Sequence, residues 1–305
     1  MRRYILKRVI LAIITLIGVS IIIFVSARFS GDVAILLAPE DASEEDIQAI
    51  RIQLGLDKPI PVQYYIYVKN ALRGNFGKSI RYNKPAIVVV LSRVPATLQL
   101  GSVGFLTALC MGILFGTLSA TKRGSLTDWC GKLFAMIGQS IPAFWTGIML
   151  ILLFGVELDW LPTSGLGGLE YMIMPAFSMA WFSMAAIMRM SRSSMLDVLD
   201  SEYIKMARIT GNSERAVIWK HALRNALIPV VGLAGIQLAH LIGGQVIIEK
   251  VFRWPGVGSL MVDAVFSRDY PVIQAGTLII ASAIVLVNLI VDLLYGIIDP
   301  RIKYE

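Results

Sequence analysis

The sequence predicts an all-α polytopic membrane protein, with six transmembrane helices and a small external helical domain. Three observations carry that expectation. Of 305 residues, 56% are hydrophobic and only 16% charged, with a mean hydropathy of +0.70, which leaves too little polar surface to cover a soluble globule. Six stretches, residues 9–27, 94–121, 133–156, 171–188, 225–248 and 270–291, contain no Asp, Glu, Lys or Arg, and a helix crosses a hydrocarbon core with roughly 20 residues. Among the short connections, Lys and Arg gather on alternate ones: Arg2, Arg3, Lys7 and Arg8, then Lys122, Arg123 and Lys132, then seven between Arg189 and Arg224, then Arg301 and Lys303. The positive-inside rule puts these, and both termini, in the cytoplasm. The net charge of +7 then serves the cytoplasmic leaflet of the membrane, and nucleic acid is not expected as a partner.

The first element, residues 1–27, joins a basic start, MRRYILKR, to nineteen uncharged residues. The apolar region of a signal peptide is roughly 7–15 residues long, so a retained first helix is expected. Residues 28–93 form the external domain. Its first helix covers 42–54, with Ser43 as N-cap, acidic residues in the first turn and Gly55 at the stop. Pro59 and Pro61 break the chain before a second helix over 62–72 that crowds Tyr64, Tyr65, Tyr67 and Val68. The remaining five spans make up a core, 94–305, interrupted by a basic segment over 189–224. There 201–210 reads as a helix stopped by Gly211, a residue suited to positive φ, and 213–223 as another. Cys110 and Cys130 imply no disulfide framework.

Several classes fall away. The run Gly74-Asn75-Phe76-Gly77-Lys78-Ser79 ends like a phosphate-binding loop, but Leu72 stands where the first Gly is required and no buried strand precedes it. His221 and His240 are the two histidines, and neither has a metal-binding neighbour at ligand spacing, so no metal site is expected. No catalytic residue is assigned either. Asp292 has no second intramembrane Asp, and Ser140 and Ser178 have no identifiable base. His240 falls mid-way along the fifth stretch with Gln237 and Gln245, and intramembrane polar side chains face a bundle interior or a watery cavity. Either a helix–helix hydrogen bond or a pathway lining satisfies that rule.

The segment DSEYIKMARITGNSERAVIWKHALRNALIP, residues 200–229, resembles the ATPase-coupling loop of ABC importer permeases of the dipeptide, oligopeptide, nickel and glutathione family. Glu202, Tyr203, Ala207, Arg208, Gly211 and Glu214 stand at the matching places. So do Ser140-Ile141-Pro142-Ala143-Phe144, Trp160-Leu161-Pro162-Thr163-Ser164-Gly165, the stretch 249–258 and the stretch 268–274. The external segment LGLDKPIPVQYYIYVKNALRGNFGKSI resembles the scoop of the permease whose large loop follows its first helix. Two departures stand out: Ser30-Gly31-Asp32-Val33 replaces Pro-Gly-Asp-Pro, and Lys205-Met206-Ala207 replaces the Glu-Ala-Ala of other importers.

The resemblance implies a permease subunit of an ATP-driven importer in the bacterial cytoplasmic (inner) membrane, working by alternating access. Its implied partners are a second homologous permease subunit, two cytoplasmic ABC ATPase subunits, an external solute-binding protein and membrane lipid. No cofactor belongs to this chain; ATP and Mg sit on the ATPases. Glu202, Tyr203, Ala207, Arg208, Gly211 and Glu214 would couple the ATPase; by their intramembrane polarity alone, Gln237, His240 and Gln245 are the candidates for lining the pathway. Trp254, Pro255, Gly256, Arg268 and Asp269 would dock the external binding protein. The implied cargo is short peptides, glutathione included, with nickel, metal-chelate or opine-like solutes as the alternative. A secondary transporter would carry coupling acids in its spans, and such carboxylates are nearly absent here.

Overall fold

The computed structural model describes residues 2–29, 34–35, 43–53, 55–242 and 246–298, and those residues are helical apart from turns and one isolated bridge. In chain order the helices are α1 (Arg2–Phe29), α2 (Glu44–Gln53), α3 (Ile60–Ala71), α4 (Ala86–Leu91), α5 (Val94–Thr121), α6 (Leu126–Ser140) and α7 (Ala143–Leu150), which continues as a π-helical segment, Ile151–Glu157. They continue as α8 (Glu170–Leu199), α9 (Glu202–Ile209), α10 (Glu214–Ala216), a second π-helical segment Val217–Ala222, α11 (Leu223–Ile242), α12 (Val246–Val251), α13 (Val257–Phe266) and α14 (Tyr270–Ile298). Among the described residues, five helical stretches are long and apolar enough to cross a membrane, and a bent helix pair makes six if it is one span.

The third expected span, 133–156, is not straight. Helices α6 and α7 meet at 107° across a break at Ile141 and Pro142. Pro142 lacks an N–H and crowds the residue before it, so Ile141 leaves the helical region at φ −95°, ψ 126°. Helix α6 also begins well before residue 133, taking in Asp128 and Lys132, and α8 runs past Met188 through Arg189 and Arg192.

The chain forms two compact units. The first comprises residues 1–95 and 256–285. Its core joins Ala86, Val89 and Val90 of α4 to Val257, Leu260 and Ala264 of α13 and to Val272 and Ala275 of α14. Helix α3 packs on α1 through an edge contact of Tyr64 with Phe24, ring centroids 5.4 Å apart, and through a 2.8 Å hydrogen bond between the Tyr64 and Ser20 hydroxyls. Helix α2 starts as expected: Ser43 Oγ accepts from the Asp46 N–H while the Asp46 carboxylate accepts from the Ser43 N–H, a reciprocal cap. Those bonds from Ser43 hold the Asp46 carboxyl below its ordinary range. Pro61 does not break the chain as expected; it sits in the first turn of α3, where its missing N–H has no helical partner to lose. The Ser30–Val33 departure lies outside the described residues.

The second unit comprises residues 96–255 and 286–305. Helix α8 is its axis, burying Met174, Met179, Ala180, Met184, Ile187 and Met195 against its neighbours. Helix α5 lies close enough that a Cβ on Gly116 would stand 2.6 Å from the Met188 carbonyl oxygen, and one on Gly112 would stand 2.8 Å from Ile187 Cγ2. Small residues at such contacts are how helices pack where lipid supplies no hydrophobic driving force. Pro175 and Pro229 lie inside α8 and α11.

Candidate functional site

Between α8 and α10 the chain leaves the helical bundle for one short helix. Asp200 and Ser201 are the whole connection into α9, and Thr210 to Ser213 the whole connection out. So short a pair of linkers ties the position of α9 to both long helices. The ends are built by local chemistry. Gly211 takes φ +83°, and its N–H bonds the Arg208 carbonyl at 3.0 Å while the Asn212 N–H bonds the Ala207 carbonyl at 3.3 Å. This is a Schellman stop, with glycine at its left-handed position. Asn212 Nδ2 adds a 2.9 Å bond to the same Ala207 carbonyl. Ser213 then caps the next helix, its Oγ accepting from the Ala216 N–H.

One face of α9 is anchored. Ile204 is fully buried among Ala120, Met195, Val217, Ala222 and Ala226, with Ala207 packed beside it. Burial of an isoleucine side chain contributes about 1.5–3 kcal/mol, enough to hold an eight-residue helix that propensity alone would not keep folded. Tyr203 adds a polar tie, its hydroxyl accepting from Asn225 Nδ2 at 2.8 Å. The other face is open. Met206 is exposed, Ile209 is 80% exposed, and Glu202, Lys205, Arg208 and Glu214 surround them in two ion pairs, Lys205 to Glu202 at 2.7 Å and Arg208 to Glu214 at 2.8 Å. Exposed pairs of this kind contribute little to stability. They orient charge around an apolar tip.

Below α9 the polypeptide does not form a separate second loop helix. Residues 214–242 run on continuously, so the expected 213–223 helix and the fifth span are one rod with a π-helical turn at its base. Val217 and Ala222 of that turn bury against Ile204. Nothing in the residue types of Val217–Ala222 announces an i→i+5 turn, and the sequence reading missed it.

The other expected site residues divide. Gln237 is buried in α11, and its Nε2 has no hydrogen-bond partner among the described residues. The side chain of His240 and the whole of Gln245 lie outside the described residues. Trp254 is fully buried with Phe252, Leu100 and Met172, its Nε1–H donating to the Ala96 carbonyl at 2.9 Å. Gly256 is buried as the residue preceding α13, and Pro255 is half-buried. Asp269 is buried too, accepting from Ser79 Oγ and from the Arg81 N–H. Of these five, Arg268 alone is exposed. The Gly-Lys-Ser run is a structural loop: Lys78 bridges to Pro85, and the Ser79 hydroxyl is committed to Asp269.

Comparison with known proteins places this geometry. The family described as "Binding-protein-dependent transport system inner membrane component" matches residues 112–304, and the corresponding N-terminal component matches residues 1–101. The "Glutathione transport system permease protein GsiC" of Escherichia coli (strain K12) is 41% identical over the whole of both chains, and the protein of the same name from Salmonella typhimurium is 40% identical over the whole of both. Among solved structures, a chain of the inward-facing MetNI methionine ABC transporter aligns with 70% of this chain and 98% of its own, at a TM-score of 0.56 and 20% identity, which speaks to the fold. The chain belongs to the family of binding-protein-dependent transport system inner membrane components, as a non-catalytic, multi-pass ABC importer permease of the peptide, nickel and glutathione branch.

Proposed function

We propose that this chain imports short peptides or related small solutes such as glutathione, by alternating access, as one of two permease subunits driven by two cytoplasmic ATPases and fed by an external solute-binding protein. The observation that carries the reading is α9: a helix pinned by Ile204 between two long helices, with Met206 and Ile209 held out to a partner. An ATPase gripping that tip moves α8 and α11 with it, because the connections are two and four residues long. ATP and Mg belong to the ATPases. Full-length relatives named for glutathione transport support that cargo over nickel or opine-like solutes.

In this reading both termini and α9 are cytoplasmic and residues 28–93 are external. Arg268 offers a side chain to the binding protein, and Gly256 and Asp269 of the same unit are buried. Gln237 remains a pathway candidate because its amide is buried with donors to spare. The test is reconstitution of the chain with its co-purifying subunits in liposomes, with ATP on the ATPase side. Uptake of labelled glutathione or dipeptides that depends on ATP and binding protein is the expected result. Uptake of nickel in place of either reassigns the cargo, and gradient-driven uptake by the chain alone refutes the importer reading.

A further inference from the structure

We propose that the cavity between α6 and α8 is a binding site for the phosphate headgroup of an anionic phospholipid. The cavity has a volume of about 390 Å³ and is lined by Lys132, Ala135, Met136 and Gln139 of α6 and by Arg189 and Arg192 of α8. Three cations therefore line a space with no carboxylate among its lining residues, and the carboxylate that pairs with two of them, Asp128, is spent. Asp128 Oδ1 accepts from Ser119 Oγ at 2.7 Å and from Arg192 Nε at 2.7 Å. Its Oδ2 accepts from Arg192 Nη2 at 3.0 Å, from the Gly124 N–H at 3.1 Å and from Lys132 Nζ at 3.0 Å. Buried and saturated, it can neutralise one cation of the three. The surplus is two positive charges, with unused donors on Lys132 Nζ, on Arg192 Nη1 and on the whole Arg189 guanidinium, which makes no hydrogen bond or ion pair among the described residues.

A phosphodiester matches that surplus in charge and in acceptor count. The walls indicate that it arrives on a lipid. Met136 is 59% exposed beside the cations and Ile137 is also exposed, so an acyl chain has an apolar surface next to the donors. Trp129, one helical turn from Lys132, is exposed as well, and exposed Trp marks the headgroup level of a membrane protein. Basic pockets between membrane helices hold anionic headgroups in this manner. The lipid would then bridge the base of α6 to α8, the helix that leads into α9.

The test is native mass spectrometry of the full-length chain released from micelles containing dioleoylphosphatidylglycerol, dioleoylphosphatidylcholine or both. The expected result is retention of one phosphatidylglycerol in preference to phosphatidylcholine, with Arg189→Gln and Lys132→Gln each weakening it roughly fivefold, as one cation near a lipid phosphate is worth about 1 kcal/mol. Arg123→Gln, a cation in the α5–α6 turn outside the cavity, leaves it unchanged. Arg189 makes none of the Asp128 contacts, so Arg189→Gln decides the matter even if Lys132→Gln folds poorly. Equal retention of the two lipids, or wild-type retention by Arg189→Gln, overturns the proposal. Displacement by inorganic phosphate at equal concentration makes this a free-anion site, and displacement by glutathione makes it a cargo site; either result overturns it as well.

Discussion

The Ser79 hydroxyl donates a buried hydrogen bond to the carboxylate of Asp269, joining positions 190 apart in the sequence. The same carboxylate oxygen accepts from the Arg81 N–H at 3.2 Å, and the other accepts from the Val272 N–H at 3.4 Å, where it caps α14. Ser79 Oγ in turn accepts from the Tyr82 N–H at 3.0 Å. One side chain thereby sets the start of the last long helix and holds the loop before α4.

Asp269→Ala removes the acceptor from buried donors, and each donor left unsatisfied costs about 1–3 kcal/mol. The expected outcome is proteolytic cleavage within 77–86 at protease levels that leave the wild type intact, with α8 and α11 unaffected. Asp269→Asn keeps an acceptor oxygen and should fall between the two. Wild-type resistance of Asp269→Ala would show that the loop is held by something else.

The ion pair of Asp128 with Arg192 is buried on the carboxylate side, with Nε to Oδ1 at 2.7 Å. Asp128→Ala strands the guanidinium and the Ser119 hydroxyl in the bundle, and breaking such a pair typically costs about 3–5 kcal/mol. The detergent-solubilised variant should melt well below the wild type and accumulate poorly in the membrane. The double change Asp128→Ala with Arg192→Leu should recover part of the loss, because the stranded charge is gone.

Sidedness is open to a direct measurement. In a background lacking Cys110 and Cys130, single cysteines at Ser43 and at Ser213 should react with a membrane-impermeant maleimide from opposite faces, Ser43 from outside intact cells and Ser213 only after lysis. Outside labelling of both sites contradicts the six-span arrangement.

How much of this was legible in the residues varies with the kind of signal. Uncharged runs located the long helices, because desolvating a charge is what a span avoids. The same criterion cut α6 and α8 short: the buried Asp128 carboxylate is paired with Arg192, and a one-dimensional reading cannot see a partner 64 residues away. Proline chemistry accounts for the break at Pro142, but nothing in the residues around it states the size of the turn. Around α9 the signal was local, a glycine stop at Gly211, and the helix appeared within two residues of its expected bounds. Motif resemblance marked Trp254 and Asp269 as a docking surface without saying which way their side chains point. Both point inward, to Ala96 and to Ser79.

The two faces of α9 should respond differently to substitution. Ile209→Asp places a charge on an exposed position, so the chain should keep its thermal stability and lose ATPase co-purification. Ile204→Ala opens a cavity in the cluster that holds the helix and should cost about 2–5 kcal/mol, lowering the melting temperature together with coupling. Equal stability loss in the two variants would contradict the anchored and open faces.

Gly211 gives the most direct test of the central claim that α9 transmits ATP-driven motion to the spans. Apart from Gly211 and its two chain neighbours, no atom lies within 4 Å of a Cβ built there, so a substitution acts through the backbone alone. At φ +83° a β-branched residue is strained by about 1–3 kcal/mol, which the short connections relieve by moving α9. In proteoliposomes holding the complete complex at equal chain abundance, binding-protein-stimulated ATP hydrolysis and solute uptake are compared for wild type and Gly211→Val. The account predicts normal insertion with both activities lost, and partial activity for Gly211→Asn, which tolerates the left-handed region. Wild-type uptake by Gly211→Val would remove α9 from the mechanism.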